Sequence, residues 1–157
     1  MAGNLLSKEY PLVTITSTGA SLTTGSAVLA GTLDCRSGSA NGIADTFAAL
    51  FSLTAQWATA PAGAGQLIAD LYLVPAIDGS LFPDVDLTAG SSYIAFQMNA
   101  GSFTASKAPT AATLALFSSG VVDLMPTLYN VYILNRSGQT MSANWSLKAL
   151  AVAAQYT

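Results

Sequence analysis

Histidine is absent from this 157-residue sequence, and Cys35 is its only cysteine. Without histidine, the side chain that most often serves as a general base near neutral pH is missing. His-ligated metal sites and Ser-His-Asp or Cys-His nucleophile systems go with it. A single thiol forms no intrachain disulfide, which rules out a small disulfide-stapled secreted scaffold. Charge is scarce too, at 8% of residues against about 25% in ordinary soluble proteins. The basic residues Lys8, Arg36, Lys107, Arg136 and Lys148 are scattered, so no footprint for nucleic acid forms and no such partner is expected. No apolar run approaches the ~20 residues of a membrane helix. The 52% hydrophobic content therefore belongs to short buried or interfacial segments, and no membrane partner is expected. The opening MAGNLLSKEYPLV lacks a basic n-region followed by an apolar h-region and does not read as a signal peptide.

What the chain has instead is alternation. In ALFSLTAQWA, Phe51, Leu53, Ala55 and Trp57 share one face while Ser52, Thr54 and Gln56 share the other, a period of two that no helix produces. In QLIADLYLVP, Leu67, Ala69, Leu71 and Leu73 alternate with Ile68, Asp70, Tyr72 and Val74, so this strand is expected to be covered on both faces, by a loop or by another subunit. LVTITSTG, SAVLAGTLDC, SSYIAFQMNAGSF, TLALF, VVDLMP and LYNVYILN read as further strands, and WSLKALAVAAQY as the last. In LYNVYILN one face takes Tyr129, Val131 and Ile133, and the other Leu128, Tyr132 and Leu134. About eight short strands with turns between them, and no amphipathic helix separating any two, predict an all-β antiparallel sandwich, with a jelly roll as the expected form. The expected organisation is a loose N-terminal arm over residues 1–11 and one sandwich domain over 12–157. Low charge and strands apolar on both faces predict self-association, because few ions must leave water when a neighbour docks.

Candidate chemistry is thin. Arg36 beside Cys35 is placed to lower the thiol pKa, but no base partner accompanies it, and a structural thiol is expected. Asp78, with Asp84 and Asp86 spaced i,i+2, offers carboxylate oxygens to calcium, although the spacing matches no EF-hand and a solvated loop is the simpler reading. The AGAG, AGSS and NAGS stretches lack the lysine and the strand–turn–helix setting of a phosphate loop and read as turns. Asn135-Arg136-Ser137 and Asn144-Trp145-Ser146 satisfy the glycosylation sequon by chance. Tyr10, Tyr93 and Tyr156 are the aromatics open to sugar stacking, since alternation assigns Trp57 to the core. No cofactor and no enzymatic activity are expected.

Three stretches, TITSTGASLTTGSA, FAALFSLTAQWA and LIADLYLVPAIDGSLFPD, together with the closing LMPTLYNVYILNRSGQTMSANWSLKALAVAAQY, resemble small structural proteins of tailed bacteriophages, of the decoration or cement type. The resemblance spans most of the chain and departs from the pattern in the longer NAGSFTASKAPTAATL region. It implies a non-enzymatic virion protein on the capsid exterior that binds and stabilises the major capsid shell. A tail, baseplate or head-fibre component with a receptor- or carbohydrate-binding role is the alternative. The expected partners are the major capsid protein and further copies of the chain, a trimer ahead of a dimer. The expected interface residues are Asn4, Leu5, Leu6 and Tyr10 of the arm, with Tyr72, Tyr129, Tyr132 and Tyr156 of the strands.

Overall fold

Alternation is what the backbone obeys. In a computed structural model, residues 5–9, 12–36, 46–83 and 99–156 are described, with side chains for 12–16, 18–36, 46–83 and 99–151. They form nine strands: β1 (Leu5–Glu9), β2 (Val13–Gly19), β3 (Ala27–Asp34), β4 (Thr46–Ala55), β5 (Leu67–Pro75), β6 (Asn99–Thr104), β7 (Ala115–Asp123), β8 (Leu128–Asn135) and β9 (Trp145–Tyr156). All strand pairings are antiparallel and build two sheets. Sheet I runs β1-β9-β4-β7, with β2 also on β9; sheet II runs β3-β8-β5-β6. The fold is all-β, two antiparallel sheets consistent with a β-sandwich.

One hydrophobic cluster draws its members from both sheets. Phe51, Leu53, Ala55 and Trp57 are all buried in it, as the alternation of β4 requires. Facing them from sheet II are Leu71, Tyr129, Val131 and Ile133. The face assignment made for β8 therefore holds: Tyr129, Val131 and Ile133 look inward. Trp145, Leu147 and Ala149 are buried on β9, while Ser146 and Lys148 are only partly covered.

The pairings are nested. β5 pairs with β6, β4 with β7, β3 with β8 and β2 with β9. A ladder of this kind is one long hairpin with its tip between β5 and β6. Folding it over adds β4 against β9 and β5 against β8, and β1 supplies the last pairing, along β9. β8 and β9, neighbours in sequence, consequently lie in opposite sheets.

The connection between them caps one end of the core and carries a buried polar knot. The Trp57 indole N–H donates to Ser137 Oγ at 3.0 Å, and Ser137 Oγ–H donates to Asn135 Oδ1 at 2.7 Å. Asn135 Nδ2 donates to the carbonyls of Leu22 and Gln139. With both its amide donors used and no exposed surface, Asn135 cannot accept a glycan in the folded chain.

Two expectations differ from what forms. The arm expected to be loose contains β1, whose backbone pairs with β9 from Leu5 opposite Tyr156 to Glu9 opposite Val152. It continues the line of β2 along the same side of β9, so existing hydrogen-bonding groups of β9 set its course. TLALF and VVDLMP, read as separate strands, merge into β7 through a bulge in which Ser119 and Gly120 stand opposite Phe51. The SSG between them forms a bulge, in which the Phe51 N–H is taken by Ser119 Oγ at 3.0 Å.

Candidate assembly surface

The outer faces of the two sheets are made of similar residues but end in different states. On sheet II, Tyr72 and Val74 point away from the core, yet Tyr72 is 5% exposed and Val74 1%. They belong to a small second cluster with Ala27 and Leu134, against which Phe82 and Tyr132 pack. The double-faced strand β5 is thus covered by the chain itself, the loop alternative of the two that its pattern allows. Asp70 shares this face. Its carboxylate accepts from Arg136 Nε–H at 2.9 Å and from Ser102 Oγ–H at 2.7 Å. At the end of β3, Asp34 accepts from Arg36 Nε–H and Nη2–H at 2.8 and 2.7 Å, and Arg36 Nη1–H donates to the Gly79 carbonyl at 2.6 Å. Both acids of this face are paired.

Sheet I leaves its outer face open. The register places Val121 opposite Leu50 and Leu50 opposite Leu150, an aliphatic row across β7, β4 and β9. Leu116, opposite Thr54, starts a second row. Leu116 and Val121 are each 72% exposed, with Leu114 and Met125 exposed at either end of the same strand. Around them lie Ser52, Ser118, Thr54 and Ser146. Among the described residues the charges here are Lys148, opposite Ser52, and Asp123 at the end of β7. The exposed aliphatics are grouped in rows rather than scattered singly, which makes this face a candidate interaction surface.

At the side of the molecule where β6 and β7 approach, an open cavity of about 510 Å³ is lined by Leu73, Pro75, Asn99, Val121, Asp123 and Tyr129, among others. Tyr129 offers it no free aromatic face: the ring is buried, and its hydroxyl is held by Met125, whose N–H donates to the phenol oxygen at 2.8 Å. Burial pushes the Tyr129 phenol pKa up.

The expected interface residues scatter. Tyr72 and Tyr129 are buried within the chain, on opposite faces of sheet II, because each ring fills a hydrophobic cluster. Tyr132 keeps partial exposure beside the Tyr72 cluster. Leu5, Leu6 and Tyr156 are described only as backbone, in the β1–β9 pair. Asn4, Tyr10 and Tyr93 lie outside the described residues. Leu116 and Val121, the most exposed aliphatics of β7, are not among the expected residues. The signal was present in TLALF, where Leu114 and Leu116 alternate with Ala115 and Phe117, so that one apolar set had to face outward.

The remaining candidates resolve locally. Asp78 Oδ1 accepts from Leu81 N–H at 2.7 Å and Ser80 N–H at 3.0 Å, closing a tight turn, and these bonds hold its carboxyl below the usual range. Asp84 and Asp86 lie outside the described residues, and among the described ones no three His, Cys, Asp or Glu gather. Arg36 does not activate Cys35. Its guanidinium is committed to Asp34, and burial, with the Asp34 charge second, pushes the thiol up to about 12. Compared with protein-family models, with curated proteins and with solved structures, the chain matches none.

Proposed function

We propose that the protein is a non-enzymatic structural subunit of a tailed-phage virion, a decoration protein that binds the outside of the major capsid shell through the outer face of sheet I. The observation that carries this reading is the state of that face. Val121, Leu50 and Leu150 form an aliphatic row across three strands, with Leu116 beside it, and hydroxyl side chains fill the rest. Docking removes apolar area from water at roughly 25 cal/mol per Å² and strips almost no ions, so a flat neutral partner surface is enough. The resemblance of the strand segments to phage decoration proteins supplies the particle. We also read the fold as a jelly roll, on the nested pairing of β2 to β5 with β9 to β6, an arrangement that viral capsid and lectin domains share. A buried thiol with its pKa raised to about 12 is a poor nucleophile, in keeping with a protein that assembles rather than reacts.

Two measurements test the reading. Quantitative gels of purified virions should give hundreds of copies per particle. Variants Leu116→Asp and Val121→Asp should keep the β-rich circular dichroism of the parent and fail to cosediment with shells stripped of decoration. A handful of copies per virion would move the protein to the tail, baseplate or head fibres, and undiminished shell binding by both variants would take the face out of the argument.

A further inference from the structure

Strand β7 is an edge of sheet I. β4 pairs with one of its sides, and no strand among the described residues pairs with the other. Edges that must stay single usually carry lysine, proline, an inward charge or a twisting bulge, are covered by a loop, or are kept very short. β7 spans nine residues, ALFSSGVVD, and has neither lysine nor proline. Its bulge at Ser119–Gly120 is settled internally by the Phe51–Ser119 hydrogen bond.

Gly120, at the middle of this edge, sits in the bulge, and its carbonyl accepts from Ser119 Oγ–H at 2.7 Å. Its φ is not among the positive ones, so its conformation suits other residues. A Cβ placed on it would meet no atom of the described residues within 4 Å. Gly31, inside β3, shows the contrast: a Cβ there would come within 2.7 Å of the Ile15 carbonyl oxygen, so close approach by the chain's own backbone demands glycine. Glycine weakens a strand interior and marks a bulge or a place where another backbone comes near; in the bulge of a free edge it leaves room for both. At Gly120 that backbone is not supplied by any described residue of the same chain.

We infer that β7 pairs with β7 of a second copy, antiparallel about a twofold axis near Gly120, joining two copies of sheet I into one continuous sheet. The antiparallel direction is set by what lies at the two ends of the strand. It brings exposed Leu114 and Leu116 of one copy beside Val121 and Met125 of the other, so each copy covers the other's aliphatic side chains. It also brings Lys107, which lines a cleft with Leu114, Ala115 and Leu116, beside the second copy's Asp123. Neither charge has an ion pair within the single chain among the described residues, and the twofold makes the Lys107–Asp123 contact twice. A parallel pairing brings Asp123 beside Asp123 and Lys107 beside Lys107, and loses both matches. The contact is isologous and closes at two copies, which replaces the trimer expected from the sequence. The pairing goes beyond the virion reading and stands without it; where that reading holds, the dimer presents a doubled sheet I face to the shell, with the gain in avidity that bivalence brings.

Sedimentation of the full chain from low micromolar to submillimolar concentration tests the inference, on the parent, Lys107→Asp, Asp123→Lys, their combination, and Gly120→Val. The parent should sediment as a dimer. Each single charge reversal should weaken dimerisation about tenfold, since two symmetry-related contacts turn repulsive, and the double reversal should recover it. Gly120→Val should be monomeric with a native circular dichroism spectrum and a melting temperature no lower than the parent monomer's. A parent that is monomeric throughout, a trimer, or a dimer indifferent to every substitution would overturn the pairing. If Gly120→Val fails to fold, the charge pair decides alone: no recovery in the double reversal would overturn the register. Virion copy number does not bear on any of these outcomes.

Discussion

Where β2 meets β3, and where β6 meets β7, the two sheets come together along lateral seams that are finished in opposite ways. On the first, Gly31 lies against the Ile15 carbonyl, and the Trp145 ring occupies the space a side chain at Gly19 would need. The Trp145 indole N–H donates to the Ala20 carbonyl at 2.7 Å, while Val13, Ile15, Val28 and Ala30 pack against the core. On the second, a cavity of about 510 Å³ opens, and a Cβ at Gly120 would meet no atom of the described residues. Both seams contain a strand glycine. At one, the chain's own atoms fill the space beside it; at the other, where the glycine sits in the β7 bulge, no atom of the described residues does. That difference in filling is why the open seam rather than the sealed one carries the inference of a partner.

The sharpest way to break the comparison is to unseal the first seam. Trp145→Ala removes a ring that is 2% exposed and the hydrogen bond to Ala20. It should cost about 3–5 kcal/mol, the range for deleting a buried aromatic, read as a lower urea midpoint by circular dichroism. A smaller loss, near that of a surface substitution, would mean the seam is not packed as described. Gly31→Ala asks the same of the backbone contact. Its Cβ must push against the Ile15 carbonyl, and because that is main chain rather than a flexible tip, about 1–3 kcal/mol should be lost.

Strand-end carboxylates sharpen the comparison with a smaller effect. Asp34 closes β3 with both its oxygens on Arg36, whereas Asp123 closes β7 with no ion pair among the described residues. The hydrogen bond from the Arg36 side chain, ahead of the bond from its backbone N–H, holds the Asp34 carboxyl below its ordinary 3.8. A depressed pKa contributes stability that is complete above 3.8 and is lost as pH falls from there through the lower folded value. The pair is partly exposed, with Arg36 43% accessible, so solvent screening limits the contribution to below about 1 kcal/mol. Denaturation at pH 5 and pH 2.5 should show Asp34→Asn losing less stability on acidification than the parent. An equal loss in both would remove the pair from the account.

Much of the fold was legible because its inward residues alternate without interruption. Phe51 to Trp57 and Tyr129 to Ile133 needed only the period of two. β5 was readable as covered on both faces, but what covers it, Phe82 arriving from the following loop and Tyr132 from β8, depends on tertiary placement that no local pattern encodes. The β7 bulge was hidden for a related reason. Ser118-Ser119-Gly120 has turn chemistry, and only the cross-strand Phe51 N–H, 68 residues away in sequence, makes Ser119 part of a strand. The candidate surface was less legible than the fold. Tyrosine suggested an interface at Tyr72 and Tyr129, yet an amphipathic ring whose hydroxyl finds a partner, as that of Tyr129 does at Met125, is at home in a core. Leu116 and Val121 carried no such flag, since which face of β7 is inward follows from its pairing with β4.

Gly120→Ala should have the smallest effect on the isolated chain, and of opposite sign to that of Gly31→Ala. The Gly120 φ is not in the positive region and a Cβ there meets no atom of the described residues, so alanine should add no strain to the folded chain while reducing the freedom of the unfolded one. A gain of about 0.4–1 kcal/mol is expected for such a replacement, measured by urea denaturation at a concentration low enough to keep the chain monomeric. The matched pair is the informative quantity: one strand glycine whose replacement costs stability and one whose replacement adds it. Were Gly120→Ala to destabilise the monomer, the glycine would be serving the chain's own packing, and the reason for seeking a second backbone at the open seam would be gone.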